Sequence, residues 1–167
     1  MRKTFATLGA AGVAACVLGF AAGSGVAQQA VPTGMVPLHT SLNAVMVYLV
    51  DPVAHEIWEY SDKQGMTEMD WLRAEQHAVN LIAASTLISI KGTGAGDGIW
   101  VADPLWRAWV VNMQSSAHLA LLAAQKKDQQ ALAKAGEVIL DACESCHQKF
   151  KPALPTEGIK HLPRVPL

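Results

Sequence analysis

The sequence predicts an all-α fold, an antiparallel up-down-up-down four-helix bundle, and three observations carry that expectation. Four segments place apolar residues at three-four spacing, no stretch between residues 38 and 151 alternates apolar and polar over a strand's length, and only a few residues separate the last two helices. With 51% hydrophobic and 16% charged residues, the 167-residue chain can bury a substantial core as one domain.

The first helix is expected from Thr40 to Tyr60. At 100° per residue, Leu42, Met46, Val50, Val53 and Ile57 fall within about 40° of one direction. His55 points to the other side, toward solvent, and Pro52 should kink the helix after Val50. The second helix opens at Thr67 as N-cap with Asp70 at its third position, and buries Trp71, Ala74, Ala78, Leu81, Ser85 and Ile88. The run "KGTGAGDG", residues 91–98, follows as a flexible connection; without a preceding strand or a Gly-Lys-Ser/Thr end it is no phosphate loop. Asp103 and Pro104 start a third helix that runs to Lys126 and buries Trp106, Val110, Met113, Ala117 and Ala120. The fourth, from Asp128 to Phe150, turns Leu132, Gly136, Ile139, Cys143, Cys146, His147 and Phe150 inward. Alanines in the stripes of the last three helices allow close approach, or room for something planar.

Residues 1–27 have a different character. Arg2 and Lys3, the apolar run "FATLGAAGVAACVLGFAAG" and the small-residue site "GVA" form a secretory signal peptide cut after Ala27. The alternatives are a retained membrane anchor and a lipoprotein acylated at Cys16. Apolar residues continuing past Cys16 argue against acylation. Cleavage leaves 11 basic and 14 acidic groups, a net charge of −3, with no basic run to suggest nucleic acid. Residues 28–37 then form a flexible segment, 38–151 the folded domain, and 152–167 a Pro-containing mobile tail.

The mature chain keeps two cysteines, Cys143 and Cys146, in the run "DACESCHQKF" at 141–150. On a helix the two thiols share a face and the imidazole of His147 lies one position beyond. Zinc would need a fourth ligand, which neither a second Cys pair nor a His-x3-His supplies. A redox dithiol belongs at a helix start after a strand, whereas this pair ends a helix. Haem attachment accounts for all three residues: two thioethers to the porphyrin and an axial imidazole on the iron. Export provides the compartment in which c-type haem is joined.

A C-terminal "CESCHQKFK" on the last helix of an exported four-helix chain resembles the class II c-type cytochromes, the cytochrome c prime group and its low-spin relatives. The resemblance spans roughly residues 38–151. It implies one covalent haem c on Cys143 and Cys146, His147 as proximal iron ligand, and a distal residue from the first helix. It also implies a basic residue beside the proximal face, usually Arg and here Lys151. Where the family often has an Arg one turn before the distal residue, this chain has Leu42. Relatives often pair through their first two helices, and exposed apolar residues of the first helix here would permit a homodimer.

Function then turns on the iron's sixth position. A Met thioether raises the potential and suits electron transfer, whereas an apolar neighbour leaves room for nitric oxide or carbon monoxide. Met46 is the candidate on the first helix's inner face, though a Met in an apolar stripe is also an ordinary core filler. Met35 in the N-terminal segment and His39, two turns before Met46, are more remote candidates. His77 and His118 read as surface residues. The tryptophans Trp71, Trp106 and Trp109 read as core. No catalytic set can be assembled, so the expectation is a non-enzymatic periplasmic electron carrier with redox partner proteins. The alternative is a five-coordinate protein that binds or sequesters a diatomic gas.

Overall fold

The computed structural model describes residues 37–151. The segment read as a signal peptide (1–27), Met35, most of the 28–37 segment and the expected 152–167 tail lie outside the described residues. Every regular element among the described residues is helical, as the stripes predicted. The elements are α1 (Leu42–Val45), a π-helical segment (Met46–Val50), α2 (Asp51–Asp62), α3 (Glu68–Leu87), α4 (Asp97–Ala102), α5 (Pro104–Lys126) and α6 (Gln129–Phe150).

α1, the π segment and α2 are one continuous helical run, and Pro52 explains its irregularity. Proline has no N–H to donate, and its ring crowds the carbonyl four residues back. The helix widens ahead of it, and the Asp51 N–H reaches five residues back to the Met46 carbonyl. The expected kink is therefore met by a π turn. The extra residue also shifts the phase of the buried stripe, which runs through Leu42, Val45, Val50, Val53, Ala54 and Ile57. Met46 is accordingly half-buried at the edge of the core, not in the line predicted for it.

The other helices begin where their sequence signals stand. Thr67 and Asp70 form a reciprocal capping box. Asp103 caps α5 through the Leu105 N–H with Pro104 in the first turn, and Asp128 caps α6 through the Ala131 N–H. Lys127 takes a left-handed conformation (φ 56°) between α5 and α6, closing the end of α5. α5 packs on α3 and α6, and α2 packs on α3 and α6. The stripes predicted for α3 and α5 are buried in full, and Trp106 donates its indole N–H to the Ile88 carbonyl at 2.9 Å across that packing.

The glycine-rich run is the main correction. It ends in α4 and encloses a buried carboxylate, Asp97, and so is an ordered structure where a flexible connection was expected. One oxygen of Asp97 accepts from the Leu42 N–H at 2.9 Å and the Gly94 N–H at 2.8 Å, and Thr93 donates to the Thr40 carbonyl at 3.0 Å. A Cβ on Gly92 would collide with the Thr40 carbonyl and the Asp97 carboxylate. Glycine is required here by close approach, and the result pins the start of α1.

Two outcomes follow from these contacts. Asp97→Ala leaves two backbone amides without their charged acceptor and should cost about 3 kcal/mol in urea unfolding, with Gly92→Ala falling in the same direction. Lys63 at 2.7 Å, with the Thr67 hydroxyl and amide, holds the Asp70 carboxyl well below the usual carboxylate range. A depressed carboxyl stabilises the fold above its unfolded value and loses that contribution as pH falls through the folded value. Stability should thus decline from about pH 4 downward, and Asp70→Asn should flatten that part of the curve in thermal melts.

Candidate functional site

The three motif residues stand together on the last two turns of α6. Cys146 is buried, whereas Cys143 and His147 are half-buried on the side turned toward α2. The seam between α2 and α6 is set by a close approach. Trp58 donates its indole N–H to the Gly136 carbonyl at 2.9 Å, and a Cβ on Gly136 would lie 2.9 Å from the Trp58 ring. Further along, the Gln129 side chain donates to the Ser61 and Lys63 carbonyls at 2.9 and 2.7 Å. At the other end Lys151 Nζ donates to Asn43 Oδ1 at 2.6 Å. These partners step in opposite directions along the two runs, so the π segment and the start of α2 pass opposite the motif.

A cleft of about 360 Å³ opens along the same seam, walled by His55 and Trp58 from α2 and by Gly136, Glu137 and Leu140 from α6. His55 was expected to face solvent; its ring instead packs edge-on against Trp58, centroids 5.0 Å apart. His77, read as a surface residue, is also half-buried, stacked on Tyr60 at 6.0 Å with Glu56 4.0 Å from its Nε2. His118 and His39 are exposed, and His39 precedes the first helix.

The end of α6 is clamped by aromatics. Phe150 meets Trp106, Trp109 and Trp100 at centroid distances of 5.1, 5.9 and 6.3 Å. Lys149 pairs with Asp103 at 2.7 Å, which holds the Asp103 carboxyl below its ordinary range. Lys151, at the position where the resemblance implies a basic residue, sits 5.3 Å over the Trp100 ring while bonding Asn43. Sequence reasoning did not find the roles of Asp51, Asn43, Trp58 or Asp97. Only the side-by-side placement of α1, α2 and α6 brings the first three to the seam, and no local pattern marks it.

The electrostatics discriminate among the chemistries open to the motif. Burial pushes the Cys143 thiol up to about 12, with the charges of Cys146, Asp51 and Glu144 adding to it, and burial pushes Cys146 up to about 11. Both are thiols, not thiolates, at neutral pH, the opposite of an activated redox cysteine. Burial also lowers the His147 imidazole, opposed by Asp51 and aided by Lys151. A neutral imidazole keeps a lone pair for a metal, and a site that disfavours thiolate tolerates a neutral thioether. Among the described residues no three His, Cys, Asp or Glu side chains converge as a metal-holding group. The donor set would suit a haem held by two thioethers and one imidazole.

A helical body with this donor set on its last helix is that of a haem-binding cytochrome. A family model described as Cytochrome C' matches residues 64–151, more than half of the chain, and the motif lies inside the match. The chain belongs to the cytochrome c′ family, whose cofactor is haem. Neither a curated protein nor a solved structure matches it.

The Trp58 contact yields a test of the seam. Gly136→Ala gains helix propensity of about 1 kcal/mol but forces the indole away and strains its bond to the 136 carbonyl. The expected balance is a net loss of about 1 kcal/mol in chemical denaturation, with a changed near-ultraviolet tryptophan signal.

Proposed function

We propose that this protein is an exported c-type cytochrome that carries electrons in the periplasm, its helices forming an antiparallel four-helix bundle. One haem would be held covalently by Cys143 and Cys146, with His147 as the proximal ligand. The observation that carries this reading is the donor set itself: two protonated thiols and a neutral imidazole on one face of α6, inside the region matched by the family. Cys143 and His147 are half-exposed, which supports a haem edge near enough to the surface for exchange with a redox partner protein. When bound, haem supplies a one-electron iron couple, and the chain's part is to hold it, orient it and limit water around it. His147 lends its lone pair, Lys151 and Phe150 fix the turn that carries it, and Asp51 sets a negative charge beside it. The role is that of a carrier and not of a catalyst.

Met46 is the proposed sixth ligand. The π segment that carries it lies opposite the motif along the seam, which supports the assignment. A second reading is favoured by the packing of Met46 against the apolar core beside Leu42, Val45 and Val50. If the thioether stays in that core, the iron is five-coordinate and its distal side is open to nitric oxide or carbon monoxide. Oxidised and reduced absorption spectra separate the two. Electron transfer through a Met-ligated haem predicts a low-spin spectrum whose sulfur-to-iron band disappears in Met46→Ala, with a fall in potential. A high-spin spectrum that shifts with carbon monoxide in the unaltered protein would sink the Met-ligated form and support gas binding.

A further inference from the structure

The corner where α4 turns into α5 is apolar at its tip. Ile99 is 75% exposed and Leu105 47%, with Ala102 and Pro104 exposed between them. Ile99 has no room inside, because the inner side of α4 is already taken. Asp97 is bonded there to the Leu42 and Gly94 amides, and Trp100 stacks on Trp106 with centroids 5.6 Å apart. At 100° per residue Ile99 stands on the far side of the helix from Asp97, with Gly98 and Trp100 on its two flanks.

Each flank carries a lysine. A Cβ on Gly98 would lie 3.4 Å from Lys91 Cε, so that stem runs along one side, and Lys151 Nζ stands 5.3 Å over the Trp100 ring on the other. Arg107 closes the C-terminal end, its Nη2 donating to the Ala102 carbonyl at 3.5 Å, beside the Lys149–Asp103 pair. Lys91, Arg107 and Lys151 meet neutral groups in these contacts, so their three charges remain for a partner. The carboxylate of Asp97, buried beneath, is met by amides. Residues 37–151 hold 9 Lys and Arg against 13 Asp and Glu, a net charge of −4, so this corner is positive on a negative domain.

We propose that the α4 corner docks on an anionic lipid surface, Ile99 and Leu105 entering between headgroups whose phosphates are met by Lys91, Arg107 and Lys151. An apolar tip inside a ring of cations matches the layering of a bilayer interface, where charge lies above hydrocarbon. Lysine and arginine suit the rim because their stems follow apolar surface while their heads stay in water. An acidic protein is the poorer occupant. A stable protein interface buries about 800 Å² per partner, whereas a six-residue helix and the turn after it offer a small convex tip. The acids of the domain do not oppose this orientation. Exposed Asp141 and Glu137 lie about 15 and about 21 Å back along α6 from Lys151, beyond the ~8 Å over which a charge is felt at physiological salt. The proposal stands apart from the haem and its sixth ligand.

Co-sedimentation of the haem-loaded protein with vesicles tests it. With equimolar phosphatidylglycerol and phosphatidylcholine, half the protein should bind at on the order of 0.1–1 mM accessible lipid. Binding should fall at least about tenfold on phosphatidylcholine alone or in about 0.5 M NaCl. Lys91→Gln with Arg107→Gln should weaken it about 25-fold, about fivefold per charge, and Ile99→Ser at least about fivefold. Lys126→Gln with Lys134→Gln, the same loss of charge toward the other ends of α5 and α6, should leave it as it was. Helical circular dichroism and the haem spectrum should be unchanged in every variant. No binding to the anionic vesicles, an equal loss in both paired variants, or an unaltered affinity in Ile99→Ser would each overturn the proposal. So would binding to phosphatidylcholine that no α4 variant alters, which would assign attachment to residues before Pro37. Binding to polyglutamate without binding to vesicles would also overturn it, and would assign the corner to an acidic protein.

Discussion

The close approach of Trp58 to Gly136 governs the rest of the site. A glycine in the middle of a helix is unfavourable by itself, yet at this position any side chain would stand where the indole lies. The indole N–H on the Gly136 carbonyl locks α2 and α6 at one level. The bonds of Gln129 to the end of α2 and of Lys151 to Asn43 then repeat the same alignment at both ends. Asp51 comes to lie beside Cys143 and His147 because of that alignment, and its charge is felt by both. The electrostatic character of the motif is therefore a property of the seam and not of α6 alone.

Two local irregularities adjust the chain to that seam. Pro52 cannot complete an α-helical ladder, so the preceding turn widens and the apolar stripe changes phase between Val45 and Val50. The Asp97 carboxylate takes the free amide at the start of α1, and the glycines around it allow the loop to come that close. One device sets the rotation of the first helical run and the other sets its starting point. Together they decide which side chains pass opposite the motif.

The end of α6 is held by a different kind of contact. Phe150 fits among three tryptophans, and Lys149 and Lys151 reach back to Asp103 and Asn43. A helix terminus tends to fray because its last carbonyls lack partners. Here aromatic packing and two lysine bonds hold the turn that carries His147, which would keep its ring in one orientation for the proposed ligand role.

Much of this was legible in residue order, for reasons of short range. Caps at Thr67, Asp103 and Asp128 act within three residues, and the stripes of α3 and α5 follow from helix geometry, so both were readable before any fold was known. The cysteines and histidine of "CESCH" carry their chemistry in their spacing. Other features needed the tertiary structure. Met46 and His55 were placed from a uniform 100° step that the π turn interrupts, and the glycine run looked flexible because Asp97's partners lie 55 residues away at Leu42. The sequence by itself determined which residues could bind haem. Only the packing of α1 and α2 against α6 decided their electrostatic surroundings, because burial and the charge of Asp51 act through space between segments that residue order leaves far apart.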